Sequence, residues 1–283
     1  MIKNDYIKVG PLVSVIITTY NRGQLVFNAI MSVILQTYKN IEILVIDDCS
    51  SDNTEAIVLG LINKYKIIKY YRNNVNKGGN YSRNRGIVNA CGEFICGLDD
   101  DDEFLPNRIE LLLMNYSDSF SFISSTMFYY TSTGGLKKTK WHPIISLDKI
   151  LYYNYVGNQI LVKRERINKL GGFDVNLVRY QDYDMWVRLI KEFGPAKIIK
   201  IPTQIINDTH SIGINDLREK NLRGALFFYF KHKRIMNIKQ RKVQLLKIYD
   251  MQNKKISLKR IFTLCTYKNV LLIIKLIIKN IKR

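Results

Sequence analysis

Gly92-Glu93-Phe94-Ile95-Cys96-Gly97-Leu98-Asp99-Asp100-Asp101-Asp102 reads as an apolar strand that runs into four adjacent carboxylates. These groups repel one another, and no fold needs them for packing. In an open α/β sheet, ligands sit beyond the C-terminal ends of the strands, which is where this cluster falls. A carboxylate cluster becomes favourable when it holds a hard divalent cation, and such a cation usually bridges to substrate phosphates. The other reading is a solvated acidic turn, the usual fate of a charge run.

The same pattern recurs upstream. Val13-Ser14-Val15-Ile16-Ile17-Thr18-Thr19-Tyr20 is strand-like and is broken by Asn21-Arg22-Gly23, and Ile41–Ile46 is a second run that ends at Asp47-Asp48. Lys66–Tyr71 makes a third. Between them, Gln24–Gln36 carries Leu25, Ala29, Val33 and Ile34 at helical spacing. Ser51-Asp52-Asn53-Thr54 supplies N-cap types for a helix over Glu55–Lys64, and another helix is expected near Tyr81–Ala90. Strands alternating with helices predict an α/β fold with a mostly parallel central sheet flanked by helices. Further on, Ser119–Thr133 is expected to hold one or two strands, Gly134–Pro143 a mobile loop and Asn158–Val162 a strand. Gly171-Gly172-Phe173-Asp174 is expected as a turn, and Asp182–Phe193 as a helix that buries Trp186 and Leu189.

The 283 residues allow one large domain, or one domain with an appendage, and a hydrophobic fraction of 47% is ordinary for a globular core. Cys49, Cys91, Cys96 and Cys265 show no metal-ligand spacing and suit a reducing compartment. Met1-Ile2-Lys3-Asn4-Asp5 lacks the apolar core of a signal peptide, so a cytoplasmic protein is expected. The net charge of +20 is concentrated at one end: residues 216–283 hold 19 Lys and Arg against three Asp and Glu. The expected division is a catalytic domain over 1–215 and a basic helical tail over 216–283.

These motifs, taken in order, resemble those of the family 2 glycosyltransferases, which have the GT-A fold and include bacterial O-antigen and capsule sugar transferases. The resemblance covers roughly Leu12–His210 and rests on several segments. They are Val13–Arg22, Val45–Thr54, Asn76-Lys77-Gly78 with Ser82–Gly86, Leu98–Asp102, Gly171–Asp174, and Gln181-Asp182-Tyr183-Asp184-Met185-Trp186. It implies that Thr18, Tyr20, Asp48 and Arg83 meet the donor nucleotide, with Asp48 accepting from a uracil imide and so favouring a UDP-linked sugar. Asp48 as a turn or capping residue and Arg83 as a solvated helix residue stay open. In the acidic cluster, Asp99 and Asp101 have DxD spacing. By resemblance Asp100 touches ribose and Asp101 binds Mn²⁺ or Mg²⁺, which neutralises the leaving diphosphate. Asp182 matches the base that takes the acceptor hydroxyl's proton. Gln181 stands where the family usually has Glu. Asp184 is expected at a helix N-terminus, stabilised by the helix dipole. His210 is carried over as a further metal ligand, with a surface loop histidine as the alternative. The implied reaction is a single in-line displacement with inversion.

In the tail, Lys268–Arg283 places Lys268, Lys275, Lys279 and Lys282 on one helical face, with Leu271, Leu272, Ile274, Ile277, Ile278 and Ile281 around the rest. The run is too short and too charged to span a bilayer. It suits an anionic membrane surface and hence a polyprenyl-pyrophosphate-linked acceptor at the inner face of the cell membrane. A helix packed on the catalytic domain is the alternative. The charge also raises a nucleic-acid binder as a rival, but the tail lacks the aromatic platform that single-strand binders use, and nucleic acid is not expected as a partner. A Mg²⁺-dependent nucleotidyltransferase needs a Gly-rich basic loop after the first strand, and Thr19-Tyr20-Asn21-Arg22 is not one. A receiver-like signalling domain, suggested by Asp47-Asp48, fits neither the other motifs nor the chain length.

Overall fold

The structure, a computed structural model, describes residues 10–131, 134–207, 214–252 and 257–281. Its first hundred residues alternate as expected. Strand β1 (Val13–Thr19) leads to helix α1 (Gly23–Ile34), β2 (Ile41–Asp47) to α2 (Thr54–Lys64), β3 (Ile68–Arg72) to α3 (Gly79–Asn89), and β4 (Phe94–Asp99) ends at the acidic run. Period-two alternation sorts the side chains of β1 onto two faces. Val13, Val15 and Ile17 pack with Val26, Ile30 and Val33 of α1 and Val58 of α2. Ile16 points the other way, toward Ile87 of α3. Both faces are covered, so the central strands are buried along nearly their whole length.

After β4 the elements shorten: β5 (Glu103–Phe104), α4 (Arg108–Met114), β6 (Ile123–Ser125), β7 (Phe128–Tyr130), β8 (Leu136–Lys138), β9 (Ile144–Ile145), α5 (Leu147–Ile150), β10 (Leu161–Lys163), α6 (Arg164–Lys169), α7 (Gln181–Phe193), β11 (Ala196–Ile199) and β12 (Gln204–Ile206). The central sheet has eight strands in the order β3-β2-β1-β4-β10-β6-β11-β9. Its first half is wholly parallel. Beyond β4 it becomes mixed, because β10 runs antiparallel to both of its neighbours. A second sheet, β5-β12-β7-β8, lies beside the acidic run. The expectation of a loop over Gly134–Pro143 is corrected here: Leu136–Lys138 is β8, whose backbone pairs antiparallel with β7.

The basic tail forms α8 (Ile214–His232), a 3₁₀ turn at Lys233–Ile235, α9 (Ile238–Gln252), α10 (Leu258–Thr263) and α11 (Val270–Ile281). Its first part is packed onto α7. The Phe228 ring stacks on Tyr183 at 4.1 Å, and Gln244 donates to the carbonyls of Leu151 and Tyr152. Its last part closes a small core of Leu246, Ile261, Leu264, Ile273 and Leu276. The other side of α11 turns outward, with Leu271 84% exposed beside Ile274 and Ile278. No helix among the described residues is long and apolar enough to cross a membrane.

Candidate active site

The turns that follow β1 and β2 are built as a pair. Asn21 and Cys49 both have left-handed backbones, at φ 54° and 72°, an unusual state for non-glycine residues that is typical of functional turns. The Asn21 Oδ1 accepts from the backbone of Ser51, and Asp52 accepts from the backbones of Gly23 and Thr54, so one carboxylate serves the starts of both α1 and α2. Asp48 is almost fully buried. It accepts from the backbone N–H of Lys77 and Gly78 at 2.9 and 2.7 Å and from Asn73 Nδ2 at 2.7 Å. Its carboxylate therefore shapes the loop that leads into α3. Thr18, Tyr20, Arg22, Asp48, Ser82 and Asp100 line an open cleft of about 280 Å³ at the C-terminal ends of β1 and β2.

The four aspartates play different parts. Asp102 is enclosed: its carboxylate accepts from Asn158 at 2.7 Å, Gln204 at 3.0 Å and the Asn207 backbone at 3.1 Å. Burial and the charge of Asp99 raise it to about 7. Asp99 faces Arg83 at 2.8 Å and Asn158 at 3.1 Å. Asp100 and Asp101 each place one oxygen 2.9 Å from the same nitrogen of Arg22. Burial raises Asp100 to about 6 against the pull of Arg22, and burial with the charge of Asp99 raises Asp101. The cluster is thus short of positive charge. Two carboxylate oxygens converge on a point now taken by a guanidinium, a donor set that suits Mg²⁺ or Mn²⁺ with phosphate and water completing the shell. Among the described residues, no three His, Cys, Asp or Glu side chains converge on one point. His210 lies outside the described residues.

Asp182 stands in the first turn of α7, after Tyr180, whose backbone is left-handed at φ 68°. It lines two spaces. One is a narrow cavity shared with Arg83, Asn158, Phe173 and Trp186, and the other is an open cleft on its far side. Burial raises its carboxyl to about 7; Asp99 adds to the rise, and the cations Arg83 and Arg179 oppose it. Burial also works against the charge of Arg83, and the carboxylates of Asp99 and Asp182 more than offset it. A carboxylate held near neutral pH beside a cleft has the properties of a general base.

The structure therefore brings Arg83, Asp99 and Asp182 together at one side of the acidic run, and Thr18, Tyr20, Asp48 and Asp100 at the other. Sequence reasoning missed Arg22 as a bridge between two carboxylates, and it missed Asn158 and Gln204. The last two come from 56 and 102 residues beyond Asp102 and leave no local signal. Asp184 stands in the first turn of α7, as expected, but it does more there. It is fully buried two residues beyond Asp182 and binds Arg188 Nε at 2.8 Å, His232 Nε2 at 2.8 Å and Lys231 Nζ at 2.9 Å.

Known proteins match both the sequence and the architecture. An Escherichia coli K12 protein named as a colanic acid biosynthesis glycosyl transferase, WcaA, is 32% identical over 93% of this chain and 96% of its own length. A Campylobacter jejuni protein named GalNAc(5)-diNAcBac-PP-undecaprenol beta-1,3-glucosyltransferase is 40% identical over 40% of this chain and 37% of its own. Among solved structures, Staphylococcus aureus TarS 1–349 in complex with UDP superposes with a TM-score of 0.59, at 17% identity over 96% of this chain and 88% of that one. The mannosyltransferase PcManGT from Pyrobaculum calidifontis, in complex with GDP-Man and Mn²⁺, gives 0.62 at 16% identity over 96% and 87%. The fold is GT-A. The family model described as glycosyl transferase family 2 matches residues 14–181, from β1 to the first residue of α7. With that match over more than half of its length, and the WcaA relative aligned along nearly all of it, the chain belongs to glycosyl transferase family 2.

Proposed function

We propose that the protein transfers a hexose or N-acetylhexosamine, with inversion, from a nucleotide sugar to a hydroxyl of a lipid-linked saccharide in bacterial surface polysaccharide synthesis. The observation that carries this reading is Asp182, a carboxyl near neutrality between the acidic run and an open cleft. The donor is UDP-linked and occupies the cleft of Thr18, Tyr20, Asp48 and Asp100. Arg83, between Asp99 and Asp182, keeps the donor side and the base in register. Asp182 orients the acceptor hydroxyl and takes its proton as that oxygen attacks the anomeric carbon. Asp101, with Asp100 beside it, would hold Mn²⁺ or Mg²⁺, which when bound offsets charge on the departing nucleoside diphosphate. The name of the Campylobacter relative supports a polyprenyl-pyrophosphate-linked acceptor, and that of WcaA supports a role in surface polysaccharide synthesis. Residues 216–283 hold the enzyme on the inner face of the membrane, with the exposed apolar side of α11 against anionic lipid.

Calorimetry of UDP binding, with Mn²⁺ and with EDTA, tests the donor site on wild type and Asp101→Ala. Metal-dependent binding that the variant loses is expected. UDP binding indifferent to both metal and Asp101 refutes the assignment.

A further inference from the structure

The tail helices contribute to the site as well as supporting it. The cleft on the far side of Asp182 has a volume of about 380 Å³ and is lined by Asn154, Arg179 and Tyr180 from the body, and by Asn221 of α8 and Lys247 of α9. That is within the size range of small-ligand sites. Lys247 differs from the tail cations that have acidic partners, such as Lys231 with Asp174 and Lys275 with Asp250. Its ammonium donates to the Tyr152 carbonyl at 2.6 Å and to Gln244 Oε1 at 3.4 Å, and lies over the Tyr153 ring at 4.0 Å. Among the described residues no carboxylate lies within ion-pair reach of it. Burial lowers it to about 7, and an anion bound beside it would favour its charged form. Arg179, on the same cleft, likewise makes no ion pair among the described residues, although its charge acts on Asp182.

We propose that this cleft selects acceptors that carry a phosphate or pyrophosphate ester, held by Lys247 and Arg179, so that the neighbouring sugar hydroxyl faces Asp182. The inference rests on the glycosyltransferase reading and deepens it. Two separate cations match the double charge of a phosphate ester better than the single charge of a carboxylate, and Arg offers a planar fork that suits phosphate. Lys247 and Arg179 act as specificity-determining residues, and the proton transfer stays with Asp182. No covalent step is added.

The test titrates N-acetylglucosamine 1-phosphate, and neutral N-acetylglucosamine beside it, into the full-length protein with and without saturating UDP and Mn²⁺. Wild type is expected to bind the phosphate ester more tightly than the neutral sugar with UDP already bound. Lys247→Met and Arg179→Gln should each weaken that binding by at least about tenfold, the loss expected for a charged hydrogen-bond donor. Lys247→Arg should restore most of it, and UDP affinity should be the same in all variants. A sugar pyrophosphate with and without a short isoprenyl chain separates the sources. Added affinity from the chain points to a lipid-borne ester, and equal affinity points to a free sugar phosphate. Equal binding of charged and neutral sugars, or no effect of Lys247→Met, overturns the inference while UDP binding stays intact. Absence of UDP binding in wild type would instead strike the assignment of a UDP-linked donor on which the inference rests.

Discussion

Asp184→Asn isolates the link between the base helix and the tail. The side chain keeps its shape and one carbonyl oxygen but loses its charge. Burial alone would push the Asp184 carboxyl up. The hydrogen bond from His232 and the charges of Arg188 and Lys231 outweigh it and hold the group at about 2. The gap between an ordinary aspartate and one at about 2 corresponds to roughly 2–3 kcal/mol of native stability. A carboxyl depressed in the folded state contributes that stability fully above its unfolded pKa, near 4. The contribution is lost as pH falls from there toward about 2. Urea unfolding at pH 7 should therefore show Asp184→Asn less stable by roughly 2–3 kcal/mol, and at pH 3 the deficit should shrink to about half. A deficit below about 0.5 kcal/mol at pH 7, within the usual range for surface substitutions, refutes the reasoning. So does a deficit that persists unchanged to pH 3. Asp184→Ala should cost more, about 3–5 kcal/mol, because Arg188, Lys231 and His232 lose every oxygen they share in that buried position.

Three further outcomes are expected. Wild-type kcat/KM should rise with pH through about 7, because Asp182 accepts a proton only when ionised; Asp182→Asn should remove that rise and lower kcat by at least about 100-fold with UDP affinity unchanged, as steady-state kinetics and calorimetry will read. Gly172→Ala should lower stability by roughly 2 kcal/mol or more in thermal unfolding, since Gly172 has φ 77° and an added Cβ would meet the Asn84 amide that pairs with the Phe173 backbone. Replacing Leu271, Ile274 and Ile278 together with Ser should weaken flotation with anionic vesicles by at least about tenfold and leave UDP binding as it was; unchanged flotation removes α11 from the membrane assignment.

The N-terminal half was readable because its information is local. Val13, Val15 and Ile17 alternate with Ser14, Ile16 and Thr18, and Asp99–Asp102 terminate a strand whose length the apolar run defines. The part beyond β4 was much less readable. β5, β9 and β12 are two or three residues long, shorter than any period can register, and they are held by pairing with distant strands. Asp184 looked like one more acidic residue in a first helical turn. What makes it a buried anchor is His232, 48 residues away, and charge counting across the tail hid that single contact among many lysines. Trp186 was readable as core from helical spacing and is 3% exposed.

Gly224 on α8 gives the tail a second kind of importance. A Cβ there would lie 2.7 Å from the carbonyl oxygen of Arg179, just before the left-handed Tyr180 and the base. The helix therefore packs directly against the Arg179 peptide and its Cβ. A change of one methyl group, made well over a hundred residues from the acidic run, would press directly on the turn that leads into α7. Position 224, outside the residues that the family model matches, is therefore coupled by direct contact to the entry of α7.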